Sequence, residues 1–298
     1  GKSEEIYTVR ILENGTQENA LGIYGYGVED NTKGAIVNGV KQAYELSIGV
    51  HRYTSLFRIL VIVQLLICLA GVGISICLCL KDTITDEKMF LAIALPFGIC
   101  MLLLVCDNNV ADYQAHYAKA YQIANSILGT GENDSYDHTY MRVEDLDTGQ
   151  EKDYFKDQGR ETWIALEDWT WFAQRKGMDI STSFFTPANG GTILAYLPNS
   201  IGIVIGRILN LGTYPMLLIS KVIGFSVYIA ICYFAIKRTP ILKAVFAFTA
   251  ALPISISNAA GITYDTMTVA ATLFMCAHIF LWWERKLKRS EWIALGIS

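Results

Sequence analysis

Apolar and polar positions are segregated along this chain into long blocks. Four stretches, 59–80, 89–106, 244–264 and 266–283, hold no Asp, Glu, Lys or Arg and run 18 to 22 residues each. A helix needs about 20 apolar residues to cross roughly 30 Å of hydrocarbon. A fifth stretch, Tyr214 to Ile236, is as long but contains Lys221, and a sixth apolar run reaches the end of the chain. The pattern predicts membrane spans at about 56–80, 89–106, 214–236, 240–257 and 266–283, with another beginning at 291–298. The chain opens on Gly1 and stops inside an apolar run, so we read it as a piece of a longer protein, truncated at both ends.

Other segments carry shorter periods. Residues 1–52 alternate in short runs (Ile6 to Leu12, Gly22 to Val28, Ala35 to Val37) with Asn14-Gly15 between the first two. Alternation with Asn-Gly predicts strands and a hairpin, hence a β-rich segment. From Asp112 to Ile127, apolar and aromatic residues recur at helical spacing, with Tyr113, Tyr117 and Tyr121 four apart and Gly129 beyond the end. That predicts an amphipathic helix on a membrane surface, its tyrosines at headgroup depth. A second interfacial helix is expected from Pro198 to Leu211, after a polar, aromatic loop.

Composition agrees with the blocks: 52% of residues are hydrophobic and 17% charged, against about 45–50% and about 25% in soluble domains. A formal charge of −4 argues against a nucleic-acid partner, which selects a basic surface. Lys and Arg crowd the connections 237–243 and 284–290 and are missing from 258–265. By the positive-inside rule, the first two are cytoplasmic and the third is outside. Propagated backwards, 81–88 is cytoplasmic and the loop 107–212 is extracytoplasmic, as is the β-rich segment 1–52. The expected class is an α-helical multi-span protein of the cell membrane, with membrane domain 53–298. All seven cysteines fall in apolar stretches, where thiols behave as small apolar groups.

Ionisable groups near the membrane boundary are the candidate chemistry, since each is costly there. Asp112, His116 and Lys119 are spaced to share one helical face. A carboxylate beside an imidazole can act as a general base or offer two ligands to a divalent metal ion; an exposed polar helix face is the plainer reading. Lys221, about 10 Å into its span at 1.5 Å per residue, either snorkels to the headgroups or holds a phosphate. Asp265 lies at the outer tip of the 258–265 connection, where an aspartate commonly caps a helix. Asp107 is a further acid at the same boundary.

These residues carry a resemblance. Asp112 to Ile123, D-Y-Q-A-H-Y-A-K-A-Y-Q-I, resembles the P-D-E-P-A-H-F-x-R-A-Y-Q-I signature of the bacterial domain-of-unknown-function family 2142. Tyr196-Leu-Pro-Asn-Ser-Ile-Gly202-Ile-Val-Ile-Gly206-Arg207 is similar to its Y-x-P-x-x-x-G-x-x-x-G-R. Lys221 stands where the family often has Arg, and Ala251-Leu-Pro253 through Asn258 to Asp265 is similar to its A-L-x-P…Q…S-x-D stretch. The four blocks cover about 105–290 in order. The family's Glu is Tyr113 here and its flanking prolines are Ala111 and Gln114, a departure that implies weakened activity, an altered substrate or reliance on Asp107 instead.

The family in turn resembles the class C membrane glycosyltransferases. The resemblance implies that fold, and transfer of a sugar from a polyprenyl-phosphate donor to a cell-surface glycan or lipid outside the cytoplasm. Asp112 and His116 would be catalytic; Lys221, Arg207, Asp265, Tyr196 and Lys119 would bind substrate, with Arg207 and Lys221 receiving the phosphate. Partners would be the lipid bilayer and the lipid-linked sugar, and the cofactor, if any, a divalent metal ion. A non-catalytic flippase of lipid-linked glycans would need the cations but no base. A structural membrane scaffold would need neither.

Overall fold

The computed structural model describes residues 26–27, 36–37, 40–41, 44–45, 55–79, 84–104, 112–150, 170–174, 177–180, 187–286 and 288–297. The chain divides into Gly1–Thr54 and Ser55–Ser298. In the first unit, β1 (Tyr26–Gly27) pairs antiparallel with β4 (Tyr44–Glu45), and β2 (Ile36–Val37) with β3 (Val40–Lys41). The hairpin expected at Asn14-Gly15 lies outside the described residues, as do Asp107 and much of the aromatic loop.

The second unit is helical. The charge-free runs 59–80, 89–106 and 266–283 fold within α1 (Ser55–Cys79), α2 (Asp86–Leu104) and α9 (Tyr264–Glu284), and the stretch that holds Lys221 folds as α6 (Thr213–Arg238). Of these, α6 and α9 are long and apolar enough to cross a membrane. Between them the chain departs from expectation. The single span read over 240–257 is two short helices, α7 (Lys243–Ala250) and α8 (Pro253–Ala259). Pro253 opens α8 and holds Leu252 in an extended conformation (ψ 139°), because a residue before proline is driven out of the helical region. The same rule ends α6: Thr239, before Pro240, has ψ 130°. The break exposes carbonyls at the end of α7, and they find donors. Tyr228 Oη donates to Ala250 O (2.9 Å) and Ser255 Oγ to Thr249 O (3.1 Å), so the interrupted backbone is satisfied within the protein.

Phe90 and Ala94 of α2, Phe225, Tyr228 and Cys232 of α6, and Ala270 and Ala277 of α9 lie in one buried cluster. A second cluster gathers the tyrosine face of α3 (Tyr113–Leu128) against α5 (Ile193–Ile208). The tyrosines expected at headgroup depth are therefore interior: Tyr117 and Tyr121 are buried. Gly129, at φ 68°, ends α3 and returns its N–H to Ser126 O, a left-handed position suited to glycine. After it come β5 (Tyr140–Arg142), α4 (Val143–Gln150) and β6 (Met178–Ile180), with β5 and β6 antiparallel.

Helix directions follow from side-chain pairs. His116 meets Tyr196 and Asn125 meets Arg207, so α3 and α5 run parallel. Asn199 packs on Gly224, Gly202 on Ser220 and Gly206 on Met216, so α5 and α6 run antiparallel. A Cβ at Gly202 would run into the Ser220 backbone, and glycine there allows the two helices to close.

Candidate functional site

The parallel packing of α3 and α5 creates two polar ends, and the predicted site residues divide between them. At the first, His116 Nδ1 lies 2.7 Å from Tyr196 Oη, and both residues are buried. Tyr264, first residue of α9, sets its ring edge-on to the imidazole at a centroid distance of 5.2 Å. Gly191 (φ 80°) closes the cluster: a Cβ there would press on the rings of both Tyr196 and Tyr264. The loop carrying it is tied to α3 by Ala188 N–H donating to Ala115 O (2.9 Å).

Two carboxylates act on this imidazole from elements far apart in sequence. Burial pulls the His116 pKa below its usual value, while the charges of Asp265 and then Asp112 push against that shift. Burial is the larger effect, so the ring is held neutral near pH 7 and is competent to accept a proton. Burial, with the negative charge of Asp265 among the neighbours, also raises the Tyr196 hydroxyl well above the ordinary tyrosine range, so it stays protonated.

Asp112 precedes α3 with φ 54° and makes no side-chain capping bond. Left-handed backbone is uncommon outside glycine, with aspartate among the residues that tolerate it, and it concentrates at functional positions. Asp265 is also not a cap. Thr263 occupies that place and accepts the Asp265 N–H at 3.2 Å, so the Asp265 carboxylate belongs to the first turn of α9. Among the described residues, neither carboxylate has a hydrogen-bond partner. No three His, Cys, Asp or Glu side chains among the described residues are arranged to hold a metal ion.

Arg207 sits at the other end, away from the position expected of a phosphate ligand. It donates to Asn125 Oδ1 (2.5 Å) and Thr130 Oγ1 (3.2 Å) and stacks over Tyr121 at 5.0 Å. Asn125 is nine residues beyond His116, roughly 13 Å along α3. Arg207 therefore anchors the end of α3 and the turn after it. Lys221 is buried on α6 beside Ser220. Ser220 meets Gly202, about 9 Å along α5 from Tyr196. Lys119 is half-buried one turn after His116.

Asp112, His116, Tyr196 and Asp265 are thus brought together, with Lys119 adjacent; Arg207 and Lys221 stand apart. Tyr264 is the residue the sequence reading missed. Its signal is slight: an aromatic next to Asp265, and the Gly190-Gly191 pair that allows a backbone to approach it.

A helical unit in which two helices among the described residues are able to cross a bilayer, with a polar cluster where α3, α5 and the start of α9 meet, defines a helical membrane protein. The chain belongs to the family described as "Predicted membrane protein (DUF2142)", whose model matches residues 95–298, more than half of the sequence. No curated protein and no solved structure matches it.

Proposed function

We propose that this protein is a multi-pass membrane glycosyltransferase that moves a sugar from a polyprenyl-phosphate donor to a cell-surface glycan or lipid, on the extracytoplasmic face. The observation that carries the reading is a neutral, buried His116 flanked by the carboxylates Asp112 and Asp265 and tied through Nδ1 to Tyr196. Glycosyl transfer needs a base for the acceptor hydroxyl. Asp112, whose carboxylate at the start of α3 has no hydrogen-bond partner among the described residues, takes that proton directly or passes it to His116. The acceptor oxygen bonds to the anomeric carbon as the bond from that carbon to the phosphate oxygen breaks, and polyprenyl phosphate leaves as the anion. An imidazolium formed at His116 is stabilised by Asp265, and Tyr196 fixes the ring's orientation. Lys119, adjacent to the cluster, supplies cationic charge for the departing phosphate. The aromatic rings of Tyr196 and Tyr264 suit the apolar face of a sugar.

The test is transfer by the purified full chain in vesicles loaded with polyprenyl-phosphate sugar. Asp112→Asn lowers the rate by about 100- to 10,000-fold, the usual worth of a positioned base. Unchanged transfer by Asp112→Asn would overturn the base assignment. Movement of intact lipid between leaflets, without sugar release, would point to a flippase.

A further inference from the structure

Basic and apolar side chains gather where α6 and α9 end, away from the His116 cluster. Arg238, the last residue of α6, donates through Nη1 to His278 Nε2 of α9 (3.3 Å), and His278 Nδ1 donates to Phe274 O (2.9 Å). At the opposite end of α9, Tyr264 packs on Tyr196, one turn from the Asn199 that meets Gly224 of α6. Helix α9 therefore runs parallel to the second half of α6. From Tyr264 to Trp283 it rises about 29 Å, close to the roughly 30 Å of a hydrocarbon core. A bilayer crossed by this pair has the His116 cluster at one boundary, still open to the outside, and Trp283 at the other.

The Trp283 end carries the residues of an interface. Trp283 is 84% exposed, and Trp282 and Trp292 are exposed with their rings 5.8 Å apart, so α10 (Arg289–Ile297) begins beside the end of α9. Lys237 and Arg238 are exposed at the end of α6, as are Lys286, Lys288 and Arg289 after α9. Glu291 accepts two bonds from Arg285 (2.7 and 3.0 Å) and one from the Lys288 N–H (2.7 Å), so its charge is taken up within that turn. Between α6 and α7 the backbone turns apolar side chains outward. Thr239 Oγ1 donates to Ile241 O (2.8 Å), and Leu242 adopts φ 58°, a conformation that a bulky residue rarely takes. Ile241 and Leu242 are both exposed, beside Lys243.

We propose that this end of the helix pair binds anionic phospholipid, its cations holding the headgroups while Ile241, Leu242 and the tryptophans sit at the acyl boundary. Charge complementarity selects the lipid: several Lys and Arg directly beside membrane-crossing helices are the ordinary signature of acidic-lipid recognition. Tryptophan at the same level, one bilayer thickness from Tyr264, marks the depth. A soluble acidic partner would meet the cations but would leave Trp283 and Leu242 in water. Against lipid, the aliphatics of the 239–242 turn are buried between headgroup and acyl chain. The distribution of Lys and Arg assigns this lipid to the cytoplasmic leaflet.

The test places benzoylphenylalanine singly at positions 241 and 283 of the full chain, in vesicles of equal parts phosphatidylcholine and phosphatidylglycerol. Both native side chains are exposed, so the larger one is accommodated. Irradiation followed by mass spectrometry should find phospholipid adducts at both, several-fold richer in phosphatidylglycerol and far above those at position 133, in the exposed turn after α3. In about 1 M salt, where charges act over only about 3 Å, the enrichment should fall towards parity while adducts persist. The variant Lys237→Gln/Lys243→Gln/Lys286→Gln should lower the enrichment at position 241 in the same way. Parity at low salt, or an enrichment that either salt or the charge variant leaves unchanged, overturns the recognition of anionic lipid by these residues. Cross-linked dimers in place of lipid adducts, or intact protein free of adducts, overturn the membrane contact itself. None of these outcomes involves sugar transfer, so this test stands apart from that of the proposed activity.

Discussion

Replacing Asp145 by Asn tests how the polar segment after α3 is held to the helices. Asp145 is fully buried on α4 and collects four donors from three other elements. Arg142 of β5 binds it in a fork, Nε to Oδ2 at 2.7 Å and Nη2 to Oδ1 at 2.9 Å. Tyr121 Oη of α3 donates at 2.8 Å and Thr213 Oγ1, at the start of α6, at 2.7 Å. Burial alone would lower the Arg142 pKa, but the hydrogen bonds and charge of Asp145 outweigh it and hold the guanidinium above its ordinary range. Asparagine preserves the shape and removes the charge, leaving a buried cation that still donates to Leu211 O at 2.8 Å. Breaking a buried pair from one side costs about 3–5 kcal/mol. One amide oxygen survives to accept from Tyr121 or Thr213, so the loss should lie near the lower end, about 3 kcal/mol. Equilibrium unfolding in detergent micelles, followed by tryptophan emission, reads it directly. The double variant Arg142→Met/Asp145→Leu should be more stable than Asp145→Asn, because it leaves no charge buried alone. A loss under about 1 kcal/mol for Asp145→Asn, typical of an exposed pair, would refute the reasoning. A double variant as damaged as the single one would do the same.

Two further outcomes follow. His116 has its pKa lowered on folding, first by burial, so the unfolded chain binds the extra proton at a pH where the folded one does not. Its contribution to stability is therefore full above the unfolded value, about 6.5, and is lost as pH falls through the depressed folded value. Unfolding curves from pH 7 to 5 should show a steeper acid-side decline in the native protein than in His116→Gln; parallel declines would contradict the burial argument. Gly202→Val should weaken the α5–α6 contact by several kcal/mol through collision with the Ser220 backbone, whereas Gly73→Ala, with open space around it, should be neutral or gain up to about 1 kcal/mol of helix propensity. Thermal unfolding of both variants in one detergent distinguishes a steric effect from a general intolerance of glycine replacement.

What could be read from the sequence is what repeats within a few residues. Three of the charge-free runs became α1, α2 and α9, the long apolar stretch around Lys221 became α6, and the tyrosine periodicity from Asp112 to Ile127 became α3 within a residue at each end. Where an apolar run was the only cue, it concealed a break: hydropathy continues across 251–253, and only the geometry imposed by Pro253 interrupts the helix. Charges were legible by type and not by occupation. The family resemblance implied a phosphate for Arg207, and its guanidinium is instead bound to Asn125, 82 residues away. Arg142 and Asp145 were not singled out within the polar loop 107–212, because nothing local distinguishes a buried pair at i, i+3 from an exposed one. The candidate site has the same limit. Asp112 and His116 are one turn apart and visible together, whereas Tyr196 joins only through the parallel packing of α3 and α5. Asp265 and Tyr264 join only because the first turn of α9 packs against the start of α5, 68 residues earlier in the chain.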